Sequence, residues 1–135
     1  MIYLPDTNAF SRFFRGHRDN EALRDHIIAE LPFCRISAIV LSELEYGASK
    51  SGIPVHRERV ARLRSMIPDV APFDADSAAY AGNVRAYLAN LKPNAQPIGL
   101  LDSLLAGQAL ALGACVVTDN IGEFRRVPGL IVENW

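Results

Sequence analysis

Short apolar runs alternate with longer stretches of helical spacing along the whole chain. Residues 2–4, 33–36, 70–73, 114–118 and 130–132 read as strands, and 114–118 is the most apolar of them. Residues 9–15, 21–31, 38–49, 55–67, 74–91 and 99–112 read as helices. In the second of these, Leu23, Ile27, Ile28 and Leu31 recur three and four apart. Pro32 and Pro68 are stop signals, Ser37 suits an N-cap, and Gly113 suits the close of a helix. Pro72 places its strand near a sheet edge, because proline cannot donate to a ladder. Residues 92–97, with two prolines, read as a loop. Strands alternating with helices predict an α/β fold, a three-layer α/β/α sandwich around a central, mostly parallel sheet of four to five strands. Residues 1–135 read as one domain.

Two acids sit where apolar strands end. Asp6 follows Met1 to Pro5, and Asp119 follows Ala114 to Thr118. Each opens a polar turn, Asp6-Thr7-Asn8 and Asp119-Asn120, with a helical pattern after it. If both strands belong to one parallel sheet, both turns lie at its C-terminal edge, where open α/β sheets bind ligands. Two more acids have apolar neighbours one turn away. Glu43 has Ile39, Val40, Tyr46 and Gly47, whereas Glu45 has Ser42 and Ser49, so Glu43 is expected to be the buried one. Asp102 has Ile98, Gly99, Leu105 and Ala106. Buried carboxylates are costly unless paired or metal-bound. An Asp/Glu set without His or Cys suits Mg2+ or Mn2+, which prefer oxygen donors. Each acid also has a plainer reading: Asp6 and Asp119 as turn or cap residues, Asp102 as a partner of the helix dipole, and Glu43 as a partner of an arginine.

Composition narrows the picture a little. Half of the 135 residues are hydrophobic, 21% are charged and the formal net charge is −1. A chain-wide basic balance of the kind that marks many nucleic-acid binders is missing, though a local patch suffices. Cys34 and Cys115 lie in apolar runs without metal-site spacing and read as buried thiols. The N-terminus has no basic leader before an apolar stretch, and no run is long enough to cross a membrane, so a cytoplasmic protein without membrane contact is expected.

The segments Tyr3-Leu4-Pro5-Asp6-Thr7-Asn8, Ser42-Glu43-Leu44-Glu45-Tyr46-Gly47, Ile98-Gly99-Leu100-Leu101-Asp102 and Val117-Thr118-Asp119-Asn120, in that order, resemble PIN-domain ribonucleases of the VapC type. The tail Glu123-Phe124-Arg125-Arg126-Val127-Pro128-Gly129-Leu130 also resembles that family. The resemblance implies a Mg2+- or Mn2+-dependent endoribonuclease that leaves 5′-phosphate and 3′-hydroxyl ends. It implies Asp6, Glu43 and Asp102 as metal-binding catalytic acids, with Asp119 or Asn120 in the fourth place. Thr7, Asn8 and Thr118 would orient the acids. Pro5 departs from the aliphatic residue usual before the first Asp. The resemblance further implies a homodimer, and a VapB-type antitoxin whose C-terminal segment lies across the site.

An RNA substrate needs positive charge. Arg12, Arg15 and Arg18 follow the first acidic turn and are candidates for RNA contact. His56, Arg57, Arg59, Arg62 and Arg64 read instead as a solvated helix face with Glu58 as a partner. Phe10, Phe13 and Phe14 suit either base stacking or the core. Two other classes remain open. An aspartyl-phosphate phosphatase would use Asp6 as nucleophile, but Asn8 stands where that class carries a second Asp. A PIN-like module that binds RNA or protein without catalysis would have no need of three such acids.

Overall fold

The computed structural model describes residues 1–135. Its elements, in order, are β1 (Tyr3–Pro5), α1 (Thr7–Phe14), α2 (Glu21–Ala29), β2 (Ile36–Ser37), α3 (Ala38–Ser51), α4 (Pro54–Met66), β3 (Val70–Ala71), α5 (Ala75–Ala89), α6 (Leu100–Leu112), β4 (Cys115–Val117), α7 (Ile121–Phe124) and β5 (Ile131–Glu133). Single 3-10 turns precede α2 (Arg18–Asn20) and β2 (Leu31–Phe33).

All strand pairs are parallel. β1, β4 and β5 form one ladder with Leu4 opposite Val116 and Val116 opposite Val132. β2 and β3 form a second, and a parallel bridge from Tyr3 to Cys34 joins the two. The order across the layer is therefore β3-β2-β1-β4-β5. The chain runs outward from β1 to β3, then returns to the other side of β1 as β4. The gap between the C-terminal ends of β1 and β4 is thus a topological switch point, where the flanking connections leave in opposite directions and open a crevice. The result is the expected three-layer α/β/α sandwich, with five strands and β3 at the edge.

Burial explains the layering. Leu4, Val116, Ile36, Ala106, Ala109, Phe10 and Phe124 are almost wholly buried in one 17-residue core. A smaller cluster of Ala9, Phe13, Leu23 and Ile27 seals α1 onto α2. Phe10 and Phe13 are therefore core residues, not free stacking platforms. Helix α6 carries the closest helix contact. Its Gly107 lies so near Ala81 of α5 that a Cβ there would stand 2.4 Å from the Ala81 backbone. The next residue, Gln108, is fully buried and fully used. Its amide donates to the carbonyls of Ala71 (2.9 Å) and Pro72 (3.0 Å), while its Oε1 accepts from Ser37 Oγ. The same Ser37 caps α3 by accepting from Ile39 N (3.1 Å). Cys34 and Cys115 are free and buried, and burial pushes each thiol up to about 12.

Three expectations shift. The segment 33–36 is not a strand from its start: Pro32, with fixed φ and no N–H, sits in the 3-10 turn, Phe33 is exposed, Cys34 makes a single bridge to Tyr3, and the strand itself begins at Ile36. The same turn ends α2 at Ala29, two residues before Leu31. Gly52 closes α3 at φ 66°, later than the predicted end at Ser49.

Candidate active site

Asp6 is the best-held side chain at the switch point. As N-cap of α1, its Oδ1 accepts from Ala9 N at 2.8 Å. Its Oδ2 accepts from Thr118 Oγ1, at the end of β4, at 2.6 Å. The capping role and the site role therefore coincide in one carboxylate. Thr118 Oγ1 in turn accepts from Asn120 N at 2.9 Å, so its proton is committed to Asp6. Thr7 Oγ1 donates to Glu43 Oε1 at 2.8 Å, tying α1 to α3. Asn8 Nδ2 donates to Asp119 Oδ2 at 3.1 Å, tying α1 to the turn after β4. Of three consecutive residues, Asp6 and Asn8 thus reach the end of β4 and the turn after it, and Thr7 reaches α3.

Burial differs from the sequence reading. Asp6 is buried and Asp102 half-buried, but Glu43 is no better buried than Glu45, and Asp119 is exposed. The apolar neighbours of Glu43 lie along α3 itself and do not roof its carboxylate. Glu45 is engaged by Arg57, which also donates to Ser49 Oγ (2.7 Å); Glu58 is not the partner of that cation.

The electrostatics draw the acids into one field. Burial raises the Asp6 carboxyl above its ordinary range; the bonds from Thr118 and Ala9 pull it back, and the charges of Asp119 and Glu43 add to the rise. Asp102, in the first turn of α6, is pushed up to about 6, first by burial and then by Glu123, Asp6 and Glu43. Uncompensated like charge of this kind is what a divalent cation removes.

Glu123 is the acid that sequence reasoning missed. It lies on the short helix α7, accepts from Asn120 Nδ2, and ranks first among the charges acting on Asp102. Its only sequence signal was its place in the motif-like tail, four residues beyond Asp119. Asn120 thus spends its amide on Glu123 and its backbone N–H on Thr118. Asp119 is turned to Asn8 and, at 3.6 Å, to Arg12 Nη1. Arg12 and Arg15 lie beside the acids, lining a cleft that Arg18 does not reach.

The donors available to a metal are all carboxylate oxygens, which suits Mg2+ or Mn2+. As the side chains stand, no three acids converge tightly enough to ligate one ion. The kind of donor and the raised carboxyls fit such an ion; closing the set needs side-chain rotation of the less tightly held acids.

A PIN-domain profile matches residues 3–130, and the chain belongs to that family. It is 36% identical to ribonuclease VapC2 of Rickettsia felis, over all of this chain and 98% of that one. It is 39% identical to the tRNA(fMet)-specific endonuclease VapC of Salmonella typhimurium, over the same shares. Among solved structures, VapBC2 from Rickettsia felis bound to a DNA fragment from their promoter superposes with a TM-score of 0.88 and 33% identity, covering 100% of this chain and 99% of that chain. The likeness to VapC-type ribonucleases first read from short motifs therefore extends over the full chain.

Proposed function

We propose that this chain is a VapC-type toxin: a divalent-metal-dependent endoribonuclease, acting as a single domain over residues 1–135 and held inactive by a VapB-type antitoxin. The observation that carries the reading is the gathering of acids from four separate segments around the β1/β4 switch point, where burial raises Asp6 and Asp102 and neighbouring carboxylates add to the rise in each. Asp6, Glu43 and Asp102 are the metal-binding catalytic acids. Asp119 takes the fourth place in the motif reading, and the position of Glu123 beside Asp102 makes it the stronger holder of that place. Mg2+ or Mn2+ bound there supplies positive charge against a phosphate and acidifies water.

The chain's own groups prepare the site. Thr118 fixes one oxygen of Asp6, and the N-cap bond fixes the other. Thr7 orients Glu43, Asn8 orients Asp119, and Asn120 orients Glu123. Water attacks an RNA phosphorus as the bond to the 3′ oxygen breaks, leaving 5′-phosphate and 3′-hydroxyl ends. The excess of acid also explains why an antitoxin with a cationic segment would block the site. An RNA target and two free, buried thiols agree with action in the cytoplasm. No helix is long and apolar enough to cross a membrane. The active species is a homodimer.

The test is cleavage of a mixed transfer, ribosomal and messenger RNA pool by antitoxin-free protein, with Mg2+, Mn2+ or chelator, beside Asp102→Asn. Discrete fragments that require metal and vanish in the variant are expected. Folded, antitoxin-free protein that cuts nothing in any metal would sink the reading. Sedimentation of the same sample checks the dimer.

A further inference from the structure

A polar cleft of about 620 Å3 opens beside the acids, and none of its lining residues is hydrophobic. Arg12, Arg15 and His17 offer nitrogen donors to it, and Asn8 and Asn20 offer amides. Asp19 and Asp119 offer acceptors. The two arginines and the two acids balance, so the cleft exerts little net pull on a bare anion. It suits a ligand that carries donors and acceptors side by side. Its volume falls in the range of small-ligand sites.

The walls are held in place before any ligand arrives. Arg12 Nε donates to Oδ1 of the buried Asn20 at 3.1 Å, which aims the far edge of the guanidinium. Arg24 Nη1 donates to the carbonyls of Arg15 (2.8 Å) and His17 (3.2 Å), pinning the loop between them. Arg12 Nη1 stands 3.6 Å from Asp119 Oδ2, too far for a hydrogen bond, so that edge still has donors to give. Donor and acceptor thus lie side by side. The cleft also adjoins the acids, because Asp119 lines it and its charge acts on Asp6.

We propose that this cleft is a specificity subsite for one unpaired ribonucleotide next to the scissile phosphate. Arg12 and Asp119 read the edge of its base, and Arg15 meets its phosphate. The inference rests on the nuclease reading above, and it assigns Asp119 to substrate recognition, leaving the fourth metal place to Glu123. The edge such a pair can read is free only in single-stranded RNA, as in loops and ends. Arg12 is therefore the specificity-determining residue, and its fixed fork is not replaceable by a lysine.

The experiment is cleavage-site sequencing on a randomised single-stranded RNA library with Mg2+, using wild type, Arg12→Ala, Arg12→Gln and Arg12→Lys. Arg12→Gln keeps a donor for Asn20 and guards against simple misfolding. Wild type should show a base preference at one fixed position beside the cut, and should not cut the same sequences in duplex form. All three variants should lose that preference. KM on a preferred oligoribonucleotide should rise about tenfold while kcat stays within about threefold. Folded variants that keep both the preference and the KM overturn the subsite. So do variants that cut as before and only bind antitoxin more weakly, which would make the cleft a protein-docking surface. Wild type that cuts nothing in the library, or in natural RNA, removes the nuclease reading itself.

Discussion

The start and the middle of helix α6 obey opposite rules. At its start, Asp102 faces Glu123, Asp6 and Glu43, charges that disfavour one another. About one and a half turns later, Gly107 and Gln108 sit in a closely packed seam. Gly107 lets α5 approach to backbone contact, and Gln108 satisfies both its amide and its carbonyl in the dry interior. The site is locally unfavourable and the seam strongly favourable, within one rigid element. A gathering of acids persists only because the surrounding fold over-determines where they stand. Activity and stability should therefore separate cleanly along this helix.

The largest contrast should come from Asp102→Asn. RNA cleavage is expected to fall roughly a thousandfold, while the melting temperature in chelator rises, because a half-buried repelled carboxyl is replaced by a neutral group. Parallel RNA cleavage and thermal-melt measurements check both signs; a variant that melts earlier breaks the comparison. Gly107→Ala should do the reverse. The added methyl meets the Ala81 backbone, costing about 2–3 kcal/mol by overpacking, with cleavage per folded molecule retained. Urea unfolding beside a cleavage assay reads this out.

Thr118→Val sharpens the comparison within the site. It removes the bond to Asp6 at almost constant volume, and metal affinity or activity should drop about 10- to 100-fold. Titration calorimetry with Mn2+ and the RNA assay test it. The smallest effect is on pH dependence. Asp102 titrates near 6 in the folded chain, above its ordinary value of 3.8. Between those values the folded state binds more protons than the unfolded state, so stability falls as pH rises through that window. Melting of the metal-free protein at pH 4 to 7 should show this decline, Asp102→Asn should flatten it, and added Mg2+ should oppose it. An unchanged slope in the variant would assign the effect elsewhere.

Several features were legible along the chain because they depend on local chemistry. Ser37 as N-cap, Gly113 as C-cap and Pro72, which stops the edge strand β3 at Ala71 rather than lying within it, each follow from a backbone group that the residue can or cannot satisfy. The turn acids Asp6 and Asp119 were visible because an acid ending an apolar run is out of pattern. Glu123 was not, since it sits on a four-residue helix in an ordinary polar tail. The burial of Glu43 was overstated for a related reason. Helical spacing reports neighbours on the same helix, and what covers a side chain comes from other elements.

By itself, then, the sequence determined the alternation of strands and helices, the caps and breaks, and the presence of acids where strands end. These rest on periodicity and on hydrogen-bond satisfaction over a few residues. Tertiary structure alone decided that β4 returns beside β1, that Asp6 shares Thr118 across the switch point, that Glu123 faces Asp102, and that Asp119 turns towards Arg12. Those relations join residues up to 112 positions apart. They depend on strand order and helix packing, which no local pattern encodes.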